Sequence, residues 1–153
     1  MAAGVWVRNE PTVGPCRREL PVPYQVQWEL HGVYSHYYGI VTGEDMRRHI
    51  EEVCRDERFE RHRYNILDFS DATEFNATER ELLINSGVLI GAAFMNHQVL
   101  IAAVVTRANV KEALEAFIAL GASPFVPKIF STVAEARKWI QESGFTAGHY
   151  SVA

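Results

Sequence analysis

From residue 24 the chain alternates, with Tyr24, Val26, Trp28 and Leu30 apolar and Gln25, Gln27 and Glu29 polar. A period of two predicts a half-buried strand with one wet face. His31 and Gly32 then read as a tight link to a second, aromatic strand at 33–40, so 24–40 is expected to be a β-hairpin. Thr42, with Asp45 three positions on, marks a helix start, and Met46, Ile50, Val53 and Cys54 form its buried stripe. The mixed charge run at 55–63 reads as solvated surface. Residues 63–70 hold Tyr64, Ile66, Leu67 and Phe69 in a β-prone run that ends on Asp68 and Ser70. The polar segment 71–77 reads as a turn, and Thr78 with Glu81 is a capping box that opens a helix to about Phe94. That helix is apolar nearly all round, which predicts the most buried helix of the chain.

The continuous apolar run at 98–106 predicts a strand covered on both faces. Asn109 is the expected cap of a third helix with Val110, Ala113, Leu114, Phe117 and Ile118 inward, stopped by Gly121 and Pro124. A short last strand at 128–130 precedes a second capping box, Thr132 with Glu135, and a helix with Val133, Ala136 and Ile140 on one stripe. The expected order is β-β-α-β-α-β-α-β-α: a single α/β domain over 24–143, with a mixed sheet, right-handed crossovers and helices packed on it. Pro11, Pro15, Pro21 and Pro23 make 1–23 an extended arm in which Trp6 is the main apolar anchor. Residues 144–153 read as a loose tail.

A chain of 153 residues, 48% hydrophobic and 22% charged, has the make-up of one globular domain. Its net charge of −4 argues against a nucleic-acid partner. Cys16 and Cys54 lie in unlike contexts and form no disulfide framework, which fits a reducing cytoplasm. The start of the chain lacks a basic stretch followed by an apolar core, so no signal peptide is expected. The longest apolar region, 82–95, is about 14 residues against the roughly 20 that a membrane span needs.

The order of elements, together with Tyr64-Asn-Ile-Leu-Asp-Phe-Ser70, Leu100-Ile-Ala-Ala-Val-Val-Thr106 and Lys128-Ile-Phe-Ser-Thr-Val-Ala-Glu-Ala-Arg-Lys-Trp-Ile140, resembles the STAS-like fold of bacterial anti-sigma-factor antagonists. It resembles more closely still their SpoIIAA-like relatives, whose fold is shared with the CRAL-TRIO lipid carriers. The resemblance covers 24–142 and implies a bacterial, non-enzymatic regulatory module that acts on a protein partner. In the antagonists a serine at the start of the helix after the strand-plus-aspartate segment is phosphorylated by a partner kinase. The matching place here is Asn76-Ala77-Thr78, where the paired serines are absent and Thr78 alone offers a hydroxyl.

The candidate interaction or phospho-switch rim is therefore Asp68, Ser70, Asp71, Thr73, Asn76 and Thr78, with Asp68 and Thr78 expected on one lip. Trp6, Trp28, Tyr34, Tyr37 and Tyr38 form a candidate patch for a homodimer contact or a small apolar ligand or lipid, with Tyr34 and Tyr38 on one face and Tyr37 on the other. No cofactor is implied, since the phosphate-cradling glycine patterns and the nucleophile elbow are absent. None of the six histidines has the spacing of a zinc site, and they read as surface residues. His31 and His36, flanking the hairpin link, could converge with His62. Enzymatic use of Asp68, His36 or His62 ranks last, because no nucleophile, base and orienting residue come together.

Overall fold

The structure, a computed structural model, describes residues 22–143. The expected arm through residue 21, with Trp6, and the tail from 144 lie outside the described residues. β1 (Tyr24–Trp28) and β2 (Gly32–Thr42) form the hairpin, α1 (Gly43–Arg55) follows, and one 3-10 turn (Glu57–Glu60) leads to β3 (Tyr64–Asn76). Then come α2 (Glu79–Met95), β4 (Leu100–Val104), α3 (Ala108–Ala119), β5 (Lys128–Phe130) and α4 (Val133–Glu142). The sheet has five strands in the order β1-β2-β3-β4-β5, with β1 antiparallel to β2 and the other pairs parallel. This is the expected mixed α/β sheet. The hairpin link is 29–31 rather than His31 and Gly32, and Leu30 sits in it fully out in solvent.

Alternation along β3 commits its residues to two cores. Leu67 and Phe69 join Val33, Tyr37, Val53, Ile101, Val110 and Leu114 in the larger one, which α1, α2 and α3 cover. Ile66 joins Ala102, Val104, Ala136 and Ile140 in the smaller one, which α4 covers. Phe69 stacks on Tyr37 with ring centroids 4.6 Å apart and planes 14° apart, at the middle of the larger core.

The polar segment after Ser70 is strand and not turn: β3 stays paired with β2 as far as Thr42 opposite Asn76. Two register shifts explain the misreading. Between His36 and Tyr38 two β3 residues face one of β2, and a second shift follows at Gly39. Each bulge inserts a residue and resets the alternation, so 71–76 shows no period of two. Gly39 has φ of 67°, in the left-handed region that glycine enters without steric cost. Carbonyls freed along this stretch find side chains, since Thr106 Oγ1 donates to Ser70 O (3.1 Å) and Asn109 Nδ2 to Thr73 O (2.9 Å). Asn109 is thus a tertiary tie and no cap; Arg107 precedes α3 without a side-chain cap bond.

Thr42 with Asp45 and Thr78 with Glu81 both form reciprocal capping boxes. At Thr132 only half of the box closes: Thr132 accepts from Glu135 N, while the Glu135 carboxylate accepts from Ser131 N. α2 departs furthest from expectation. It buries Leu82, Asn85, Ser86 and Ala92, yet leaves Leu83, Ile84, Ile90, Phe94 and Met95 about half exposed or more. It leans on α1, where a Cβ on Gly43 would meet Glu81 Cβ at 2.7 Å and Asn85 Nδ2 donates to Gly43 O at 2.9 Å.

Phe69→Ala removes a fully buried ring from the central stack and is expected to cost about 3–5 kcal/mol of stability, read from urea denaturation. A cost below about 1 kcal/mol would show that the stack is not part of a packed core.

Candidate functional site

The sheet's two faces are covered unequally, and the exposed chemistry gathers on the face that α4 covers only in part. There β1 and β2 present Gln25, Gln27, Tyr34, His36 and Tyr38, each at least part-exposed. Asp68 lies in mid-strand on this same face, opposite His36 and Val104. It is only 4% exposed, and its carboxylate accepts from the Tyr34 hydroxyl (2.5 Å) and from Ser70 N (3.0 Å). Burial works to raise its pKa, but the bonds from Ser70 and Tyr34, with the charge of His36, outweigh it and hold the carboxyl below its usual range. The same environment, burial first, pushes the Tyr34 phenol up to about 12.

Around this pair run two further contacts. His36 Nε2 lies 2.6 Å from Asp71 Oδ2. Arg137 of α4 grips Glu29 through Nη1 (3.0 Å) and Nη2 (2.6 Å), and the Tyr64 hydroxyl donates to the same carboxylate. The Arg137 guanidinium also lies 5.8 Å from the centroid of the Tyr34 ring. Together these residues form a band from Asp71 to Glu29, bound mostly to itself. Sequence spacing does place Tyr34, His36 and Tyr38 on one face. Arg137, 108 positions from Glu29, gives no sequence signal of its role.

The expected lip does not form. Asp68 faces the α4 side, whereas Thr78 caps α2, whose Leu82, Leu89 and Ala92 pack over Leu67 and Ile101 on the other side. Asp68 and half-buried Ser70 belong to the sheet's internal bonding, while Asp71, Thr73, Asn76 and Thr78 are exposed along the outer half of β3 and the first turn of α2. This half projects beyond β1 and β4, whose pairings stop at Tyr37 and Asp68. Thr78 Oγ1 accepts from Glu81 N at 3.2 Å, and Glu81 Oε2 accepts from Thr78 N at 2.8 Å.

The aromatic residues also divide. Tyr37 is wholly buried, and Trp28 packs toward the larger core with the Arg58 guanidinium 4.4 Å from its ring centroid. Tyr34 and Tyr38 are on the other face, where the Tyr38 hydroxyl donates to Val22 O. The four described residues, Trp28, Tyr34, Tyr37 and Tyr38, make no single patch.

Two histidines read as surface are in fact core residues. His49 is 2% exposed, with Nε2 2.6 Å from Ser35 Oγ and Nδ1 unpartnered. His62 is equally buried, and its Nδ1 bonds Phe59 O at 2.6 Å. His31 and His62 share a cleft of about 230 Å³ with Trp28, Arg58 and Arg61, but His36 stands on the opposite face. Under the helical layer, between α1, α2, α3 and the sheet, lies a mostly apolar cavity of about 70 Å³. That is far below the roughly 300–1,000 Å³ of pockets that take small ligands. No group of three or more metal-ligating side chains occurs among the described residues, and none of their helices is long and apolar enough to cross a membrane.

A mixed sheet with one antiparallel edge strand, three helices on one face and one on the other is the layout of a STAS-like fold. The structural comparison supports that class: a protein assigned as an anti-sigma factor antagonist from Thermotoga maritima superposes with a TM-score of 0.55 at 16% identity, over 77% of this chain and 94% of that one. The anti-sigma factor antagonist SpoIIAA in its unphosphorylated form gives 0.51 at 11% identity, over 78% and 96%. No protein-family model and no curated protein matches the sequence. At these identities the likeness is one of fold.

Burial pushes the His49 pKa from 6.5 down to about 3. The unfolded chain therefore binds the extra proton between those values, so this contribution to stability is whole above pH 6.5 and is lost as pH falls. His49→Gln should flatten the acid limb of the stability curve by up to about 1.4 kcal/mol per pH unit, read from denaturant midpoints. An unchanged limb contradicts a buried neutral imidazole.

Tyr34→Phe deletes a hydrogen bond to a charged group and should cost about 1.5–3 kcal/mol at pH 7. Because the folded Asp68 pKa lies below its usual 3.8, that cost is full above this value and shrinks as pH falls through the depressed one. A cost independent of pH from 7 to 2 contradicts the assigned pair.

Proposed function

We propose that the chain is a non-enzymatic regulatory module of the STAS-like kind, acting in the bacterial cytoplasm by binding a protein partner. The domain 24–143 acts as the unit, and the contact is made by the projecting end of β2 and β3 with the first turn of α2. One observation carries this reading: Asp71, Thr73, Asn76 and Thr78 stand exposed beyond the ends of β1 and β4, next to a helix start. Exposed polar side chains of this kind suit recognition by another chain. The neighbours in fold are described as anti-sigma factor antagonists, which supports a role in protein–protein regulation.

Thr78 is the place where such a contact would be switched. Its hydroxyl is exposed at a helix N-terminus, which favours added negative charge by about 0.3–1 kcal/mol. A phosphate there would have to displace the Glu81 carboxylate from its bond to Thr78 N. Thr78→Asp keeps a good N-cap and adds charge, whereas Thr78→Ser keeps both cap and hydroxyl.

The test is capture of the partner on immobilised protein, with thermal unfolding of each variant alongside. A protein retained by wild type and Thr78→Ser, but lost with Asp71→Lys and with Thr78→Asp at unchanged Tm, is the expected outcome. Equal retention by all four contradicts the site. Phosphate mapping after incubation with cytosol and ATP decides the switch: no phosphate on Thr78, Thr73 or Ser70 removes it.

A further inference from the structure

The exposed face of α2 has a pattern that the proposed contact does not use. At 100° per residue, Leu83, Ile84, Gly87, Ile90, Gly91, Phe94 and Met95 fall within an arc of about 140°, opposite the buried Leu82, Asn85, Ser86 and Ala92. Leu83, Ile84 and Ile90 are 49%, 47% and 47% exposed, Met95 54% and Phe94 90%. Charge is confined to the first turn (Glu79, Arg80 and Glu81), and 82–95 carries none. A Cβ on Gly87 or on Gly91 would meet nothing within 4 Å, so two glycines one turn apart leave the helix backbone open to close approach.

We infer that this face is where a second copy of the chain docks, α2 against α2, antiparallel about a two-fold axis that passes between Gly87 and Gly91, level with Leu89 along the helix. The order of residues carries the choice of partner. Outward from Leu89 the helix reads nearly the same in both directions: Val88 and Ile90, Gly87 and Gly91, Ile84 and Phe94, Leu83 and Met95. An antiparallel pair therefore crosses glycine on glycine at the centre and sets large apolar side chains against large ones at both ends. Such self-complementarity is what a two-fold, isologous contact requires.

The area is also of the right size. At about 200 Å² for a fully exposed large side chain, the five residues present roughly 600 Å² of apolar surface per copy. That is at the top of the range for patches on monomers, and a standard stable interface takes about 800 Å² per partner, which the open glycine backbone and Val88 help to supply. A bilayer is a poorer occupant, since the helix offers one arginine, Arg80, beside two glutamates in a chain of net charge −4.

Sedimentation equilibrium of the full 153-residue chain tests the inference. The expected result is a monomer–dimer equilibrium with Kd in the micromolar range, weakened roughly tenfold or more by Phe94→Glu and by Gly87→Leu. Gly87→Leu fills the crossing point while raising helix propensity, so loss of the dimer with unchanged or raised Tm separates docking from unfolding. A wild-type chain that stays monomeric at the highest soluble concentration overturns the inference. So does a dimer that neither variant weakens, or a monomer that floats with vesicles of phosphatidylcholine and phosphatidylglycerol.

Discussion

The register of β3 against β2 is the constraint on which the rest of the molecule depends. A strand turns successive side chains to opposite faces, so fixing that register decides at once that Leu67 and Phe69 face three helices and that Ile66 and Asp68 face one. A slip of one residue would turn the Asp68 carboxylate into the larger core with Val33, Tyr37 and Val53, away from the Tyr34 hydroxyl that it now accepts from. Asp68 is tolerated at 4% exposure because the correct register places the Tyr34 hydroxyl beside it. The two bulges then reset the phase, sending Asp71 toward His36 and Ala72 and Phe75 back into the larger core.

Unequal covering of the faces follows from that arrangement. The three-helix side is tight where α1 meets the sheet, with the Ser35–His49 bond and the Tyr37–Phe69 stack wholly buried. α2 is tied to α1 through Gly43 and Asn85, and all three helices line the cavity left beneath them. On the other side, Tyr34 bonds Asp68, His36 bonds Asp71, and Arg137 of α4 and Tyr64 both bond Glu29 of the hairpin link. The surfaces proposed for recognition are the projecting strand ends and the outer face of α2.

Much of this was legible from the sequence. Alternation from Tyr24 to Trp28 marks a strand with one wet face, and Thr42 and Thr78 announce their helices because each brings its own reciprocal acid. What failed did so for physical reasons. A bulge removes the period that betrays a strand, so 71–76 looks like a turn. All-round apolarity looks like burial whether or not a helix's outer face is covered within its own chain, so α2 reads as buried. Asn109 has the chemistry of a cap but spends its amide on Thr73 O, a choice set by tertiary position. His49 is legible as a core residue, since it stands three positions after Met46 and four before Val53 on the buried stripe.

Amide hydrogen exchange across 71–76 tests the central claim most directly, because it asks whether the strand continues past Ser70. Pairing with β2 as far as Asn76 predicts that amides of this stretch directed at β2 are protected well above the rate of unstructured chain, in company with 64–70. Exchange of all six at the unstructured rate, beside slow exchange at 64–70, would mean a turn after all. The register, the divided faces and the projecting contact surface would then fall together.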